Sequence, residues 1–422
     1  MRLSFLATGN ELVKGERAEG NAAWLASELT GRGLVPRRHL VVGDDPADMT
    51  DALAWLRPQS DVVVVSGGLG PTSDDITVDV MANFLGVAVE VHQPSLERAR
   101  KLLAERGIGP LPGLERQARI PQGATVYENP AGLAPGFSFD TGKTRVFCFP
   151  GVPAEFKALS RSALIPAVDD MTVRRGHLPV AVERLLAVGL PESRANEALA
   201  HLETDIEGLT LGFLPSSPEL VITFTVRAPD AQQATQRCQT AAALARDLLG
   251  PKVVSVGEIR PNHVLVHALA KKGLRLAAAE SCTGGLLMAM VTEVPGSSAV
   301  FTGGVVSYDN EVKQRLLGVH AGDLAQHGAV SEPVALAMAK GIRDLMGTDL
   351  GVGITGIAGP DGGTQDKPVG TVFIAVADKD GATCRRHHFW PPRQEIRRAA
   401  AVHALVMVLK EATREPKEKQ EP

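Results

Sequence analysis

Two glycine-rich segments far apart in the chain each follow an apolar run and precede a helical pattern. The first is Ser66-Gly67-Gly68-Leu69-Gly70-Pro71-Thr72-Ser73-Asp74-Asp75. Glycines let backbone N–H groups approach a phosphate, and a following helix adds the positive end of its dipole. The segment is not a Walker A loop, because no GK[ST] follows, nor GxGxxG, because Ser73 stands at the third glycine. A competing reading is a plain turn in which Asp74 or Asp75 caps the next helix. Short polar and acidic residues also follow the neighbouring apolar runs: Thr8, Asn10 and Glu11 after the first, Asp44 and Asp45 after the second. Hydrolysis of a phosphoanhydride uses a divalent cation held by hard oxygens, and Glu11, Asp44, Asp74 and Asp75 are the candidate ligands.

The second segment is Glu280-Ser281-Cys282-Thr283-Gly284-Gly285. At a strand-to-helix turn a side chain is presented to the cleft, and the amides that follow can stabilise an oxyanion. Ser281 is the candidate nucleophile, ranked above Cys282, since a cysteine in such a turn is often a small buried apolar residue. No histidine lies close by and no GxSxG occurs, so the base is expected to be Lys313 or Tyr308, which flank Asn310. A lysine desolvated in a pocket loses its charge and can take a serine proton. The alternative is that Ser281 or Thr283 caps a helix starting near Gly284 and Lys313 is a solvated helix charge. Gly328-Ala329-Val330-Ser331 and Thr355-Gly356 through Gly363 are further candidate phosphate loops. Arg385, Arg386, Arg393, Arg397 and Arg398 could reach a phosphate, and Arg397 is retained as a candidate. Adjacent His387 and His388 on a strand point to opposite faces and cannot readily share a metal.

The elements that must position these groups are α/β in kind. Leu3 to Ala7, Leu34 to Val42 and Asp61 to Ser66 read as strands, with Asn21 to Arg32, Pro46 to Arg57 and Ile76 to Leu85 as helices. Val62 to Val65, apolar at every position, predicts a strand covered on both faces. This alternation predicts a doubly wound domain over residues 1–170, with both early polar loops at one cleft. Residues 173–255 read as a small α+β connecting domain, with strands Val180 to Gly189, Leu209 to Leu214 and Leu220 to Arg227, and a turn at Pro215 to Pro218. Its element order is KH-like, but it has no GxxG clamp and no basic stripe. Residues 258–412 form a second α/β domain, with strands at Leu276 to Ala279, Val305 to Ser307, Leu350 to Ile354 and Thr371 to Ala377. Its helices are expected at Asn262 to Lys272, Gly284 to Val294 and Glu332 to Gly347. The Glu-, Lys- and Pro-rich residues 413–422 are expected to be disordered.

With 422 residues, 44% of them apolar, two or three cores can be buried. The formal charge of −4 argues against a nucleic-acid partner, and no apolar run reaches a membrane span. Nothing resembles a signal peptide, so a cytoplasmic location is expected. Cys148, Cys238, Cys282 and Cys384 are scattered singly, which predicts neither disulfides nor a structural zinc.

Taken together, several motifs resemble the CinA family of competence/damage-inducible proteins over nearly the whole chain. They are Thr8-Gly9-Asn10-Glu11-Leu12 with Gly15, Ser66 to Thr72 with Asp74-Asp75, Asn129-Pro130 with Gly132 and Ala134-Pro135-Gly136, and Pro150-Gly151-Val152-Pro153 with Glu155. The resemblance implies an amino-terminal domain similar to molybdopterin-binding domains and active as a metal-dependent ADP-ribose pyrophosphatase giving AMP and ribose 5-phosphate. Thr8, Gly9, Asn10, Gly67, Gly68, Gly70, Thr72, Asn129, Pro150 and Gly151 would bind that substrate. Glu280 to Gly285, Gly303 to Tyr308 with Asn310 and Lys313, Gly328 to Glu332, and Thr355 to Gly363 with Lys367 to Thr371 resemble the family's carboxy-terminal domain. That likeness implies a nicotinamide mononucleotide deamidase. Ser281, Tyr308 and Lys313 would be catalytic, and Thr283, Gly284, Gly285, Asn310, Ser331, Thr355, Gly356 and Arg397 would hold substrate without a cofactor. A homodimer is expected. The rival readings are a pterin- or nucleotide-binding module without hydrolysis and an adaptor in competence or damage response.

Overall fold

The computed structural model describes residues 1–109 and 111–414, and most of the expected disordered tail lies outside them. The chain divides into two compact units, Met1–Ala181 with Pro229–Ala231, and Val182–Ala228 with the described chain from Gln232 onward. No helix among the described residues is long and apolar enough to cross a membrane.

The first unit contains β1 (Leu3–Thr8), β2 (Arg38–Val42), β3 (Val62–Ser66), β4 (Val89–Val91), β5 (Arg119–Pro121), β6 (Thr125–Tyr127), β7 (Gly136–Thr141) and β8 (Thr144–Phe149). Its main sheet runs β2-β1-β3-β8-β7-β6, while β4 and β5 pair separately. The first four strands of that order are parallel, and β7 runs antiparallel between β8 and β6. Val62 to Val65 are wholly buried: Val63 and Val65 pack with Leu6 and Met49 on one face, Val62 and Val64 with Phe5 and Phe156 on the other. The apolar run was thus legible as a two-sided core strand. The expected strand from Leu34 begins only at Arg38, because Pro36 has no N–H for the ladder. Strand order reverses between β1 and β3, and the crevice beyond Thr8 and Ser66 is where such sheets bind ligands.

The second unit carries two sheets. The smaller joins β9 (Val180–Val188), β10 (Leu209–Ser216), β11 (Glu219–Arg227) and β12 (Val253–Val256) in the order β10-β11-β9-β12. The β10–β11 hairpin closes more tightly than expected, with Ser216 opposite Glu219. The larger joins β13 (Leu276–Glu280), β14 (Phe301–Val306), β15 (Leu350–Gly356), β16 (Thr371–Asp378) and β17 (Gly381–His388) in the order β14-β13-β15-β16-β17. β14, β13 and β15 are parallel, and β16 runs antiparallel between β15 and β17. A 21-residue helix, Arg393–Thr413, packs its apolar stripe on this sheet. Arg398 from that helix pairs with Glu219 at 2.7 Å and so tethers the β10–β11 hairpin.

Candidate active sites

In the first unit a cavity of about 420 Å³ opens at the ends of β1, β3 and β8. It is lined by Thr8, Gly9, Gly67, Gly68, Gly70, Pro150 and Gly151, and by all four candidate ligands, Glu11, Asp44, Asp74 and Asp75. At Gly67, φ is +117° and an added Cβ would lie 2.4 Å from the Thr8 carbonyl, so glycine lets the two loops meet. Three expected binding residues do not line the cavity. Asn10 accepts from the Asp44 amide at 3.3 Å and braces that loop. Thr72 donates from its amide (2.9 Å) and hydroxyl (2.6 Å) to Asp75. Asn129 is fully buried.

The four carboxylates share the cavity without forming a closed set of three metal ligands among the described residues. Among the described residues no three Asp, Glu, His or Cys side chains converge to hold a metal. The local reason is that two of them are already engaged: Asp44 accepts from Thr8 Oγ1 at 2.8 Å and the Asn10 amide at 3.0 Å, and Asp75 from Thr72. Asp74 is exposed, and the polar Thr72 side chain beside it holds its carboxyl below the usual range. Hard carboxylate oxygens without a closed cage suit an ion that takes its remaining ligands from phosphate and water.

Residues not foreseen as site groups also line the cavity. Glu19 caps the Asn21–Thr30 helix, accepting from the Asn21 (2.8 Å) and Ala22 (2.9 Å) amides. Asn21 donates to Ser66 Oγ and the Gly151 carbonyl, both at 2.9 Å. Glu155 is half-buried, and desolvation raises its carboxyl above the usual value, partly offset by a 2.6 Å hydrogen bond from Asn129 Nδ2. Glu155 stands within a quoted motif, but only the fold brings it to the cavity wall.

In the second unit, Glu280 lies opposite Val306 on β14 and Ile354 on β15, so the next residues of three strands come level at one edge. The Ser281 amide donates to the Ile354 carbonyl (2.9 Å) and the Ser307 amide to the Glu280 carbonyl (2.8 Å). The turn is therefore held on both sides. Lys313, on the Asn310–Leu317 helix, is 1% exposed, and its ammonium donates to the carbonyls of Ser307 (2.7 Å) and Tyr308 (3.2 Å). Burial lowers its pKa, with Asp309 and Cys282 pulling the other way. This is no solvated helix charge. Cys282 is buried, and desolvation pushes its thiol up to about 12.

The helix after Ser281 starts at Leu286, later than Gly284, and neither Ser281 nor Thr283 caps it. Its first amides go to Glu280, whose fully buried carboxylate accepts from Gly285 (2.9 Å), Leu287 (3.2 Å) and Met288 (2.8 Å). The Gly285 amide is therefore not free to cradle a ligand, contrary to expectation. The amides of Cys282 and Thr283 make no hydrogen bond to another residue among those described, and they form the available donor pair beside Ser281. Arg397 donates at 2.7 Å to the Thr283 carbonyl, and the Thr283 hydroxyl is buried without a partner. Gly284 faces Arg397. Ser331 and Thr355 are buried and turn their hydroxyls to the carbonyls of Gly328 and Ala329, each at 2.8 Å, which joins their two loops, while Gly356 ends β15. Tyr308 is largely exposed and its hydroxyl accepts from Arg393 at 3.1 Å, while Asn310 is exposed at its helix start.

A two-sided α/β unit with a polar cleft, followed by a second α/β unit with a serine at a strand-to-helix turn, defines a molybdopterin-binding-like domain joined to a CinA carboxy-terminal domain. Family models agree: the probable molybdopterin binding domain matches residues 4–170 and the CinA C-terminal domain residues 260–412. A CinA-like protein of Anaeromyxobacter sp. (strain Fw109-5) is 44% identical over 96% of this chain and 98% of its own length. One from Geobacter sulfurreducens is 40% identical over the same shares. The chain belongs to the CinA family. Among solved structures, competence/damage inducible protein CihA from Agrobacterium tumefaciens is 39% identical, covering 35% of this chain and 92% of that one with a TM-score of 0.35.

Proposed function

We propose that the chain is a bifunctional hydrolase of pyridine-nucleotide breakdown products, acting in the cytoplasm. The carboxy-terminal site deamidates nicotinamide mononucleotide to nicotinate mononucleotide, and the amino-terminal cleft cleaves ADP-ribose to AMP and ribose 5-phosphate. The family resemblance supplies the two substrates. The observation that carries the amidase reading is Lys313, an ammonium buried at the end of the strand beside the Ser281 turn. Its neutral amine takes the Ser281 proton as Oγ bonds to the carboxamide carbon. The Cys282 and Thr283 amides face the developing oxyanion, and the proton passes to the departing ammonia, with Tyr308 at the rim as a second proton carrier. Water then releases the acid and restores Ser281.

In the cleft, Glu11 and Asp74 would hold a divalent cation, with Asp44 and Asp75 fixing the loops around it. Such an ion neutralises phosphate charge and polarises the phosphoanhydride.

Ammonia release from nicotinamide mononucleotide tests the first activity. Ser281→Ala and Lys313→Ala are expected to abolish it and Cys282→Ala to retain it. Absence of ammonia from the wild-type chain overturns the reading. That no three acids converge among the described residues favours one rival for the cleft, a pterin-binding site without hydrolysis. Pterin binding with no ADP-ribose turnover under any divalent cation would select it.

A further inference from the structure

The amino-terminal cleft contains one carboxylate whose surroundings are built to aim it. Glu155 lines the cavity and is half-buried, while Asp44 and Asp75 are tied to their own loops and Asp74 is exposed. One oxygen of Glu155 accepts from Asn129 Nδ2 at 2.6 Å, and the other has no hydrogen bond among the described residues. Asn129 is itself a fixed mount. Fully buried, it also donates to the Ala134 carbonyl (2.8 Å) and accepts from the Ala131 amide (3.0 Å), and Arg98 grips its backbone carbonyl. Space for the carboxylate is reserved as well: a Cβ on Gly132 would lie 2.2 Å from Glu155 Oε2. A carboxylate on the wall of a polar cavity, with one oxygen tethered and the other without a hydrogen bond, has the arrangement of a general base.

We propose that Glu155 is the base that activates the attacking water in this cleft, an assignment that rests on the ADP-ribose reading above. The water oxygen bonds to one phosphorus as its proton passes to the untethered oxygen of Glu155. The bond from that phosphorus to the bridging oxygen breaks, and the bridging oxygen leaves with the other phosphate. Two phosphomonoesters result, and Glu155 returns its proton to solvent. Desolvation, which makes the carboxylate a stronger base, is consistent with the role.

The test compares wild-type protein with Glu155→Gln and Gly132→Ala, measuring ADP-ribose turnover with Mg²⁺ and ADP-ribose affinity by calorimetry. Glu155→Gln is nearly isosteric and preserves an acceptor for Asn129. It is expected to cut turnover by about 100-fold or more while affinity stays within about threefold. Gly132→Ala moves the carboxylate without altering its chemistry, and a drop of about tenfold is expected with ammonia release unchanged. Turnover by Glu155→Gln within about threefold of wild type overturns the proposal, as does loss of ADP-ribose affinity in that variant, which would make Glu155 a ligand rather than a base. Wild-type protein that neither binds nor cleaves ADP-ribose would instead remove the reading beneath it.

Discussion

The Met288 amide donates to the Glu280 carboxylate at 2.8 Å, joining the last residue of β13 to the first turn of the helix that follows the candidate nucleophile. With the Gly285 and Leu287 bonds, this gives the buried Glu280 side chain three backbone amide donors. Glu280→Ala orphans three donors and is expected to destabilise the protein by about 3–5 kcal/mol, read as a shift in urea midpoint. Glu280→Gln keeps an acceptor and should fall between. A midpoint unchanged in Glu280→Ala would refute the cap.

Lys313 predicts an alkaline signature. Its folded pKa lies below 10.5, so between that lowered value and 10.5 the unfolded chain binds the extra proton. Stability must therefore rise with pH across that window, and Lys313→Met should flatten the rise. Denaturation midpoints across the alkaline range check this, and identical slopes in the two proteins would contradict it.

The same burial makes Cys282 a poor nucleophile. A thiol held near 12 has almost no thiolate at neutral pH, so iodoacetamide should leave Cys282 unmodified in the folded chain and label it only after denaturation. Peptide mass mapping decides, and rapid native labelling would return Cys282 to candidacy.

Acid sensitivity is expected from a pair of rings on β17 and the long final helix. His387 and His403 lie 5.0 Å apart between centroids, and His387 Nε2 is buried without a partner. Burial lowers both, His387 to about 4. The unfolded state therefore binds more protons between 6.5 and 4, and stability falls as pH drops through that range. His387→Phe should reduce this loss in thermal melts, and an unchanged pH dependence would exclude the pair as its source.

The legible parts of the molecule are those where neighbours along the chain share a fate. Val62 to Val65 announce a core strand because all four side chains must be covered, and Ser281 follows a strand in an obvious turn. Lys313 could be named as a base, but its burial depends on how its helix meets the end of β14. Glu155 and Asn129 were harder still. They lie 26 positions apart, and only β7, running antiparallel between β6 and β8, brings the segments after those two strands together at the cavity. Glu280 was visible beside the nucleophile, but its cap arises from a turn that folds residues 285–288 back onto it.

Both candidate sites place a carboxylate of the chain itself over a neighbouring helix start, Glu19 in the first unit and Glu280 in the second. A helix start left open attracts any small anion, so free phosphate and sulfate compete there with larger ligands. With the position already occupied by a tethered group, neither helix can serve as a trap for stray inorganic anions. Selection among anions then passes to the surrounding loops.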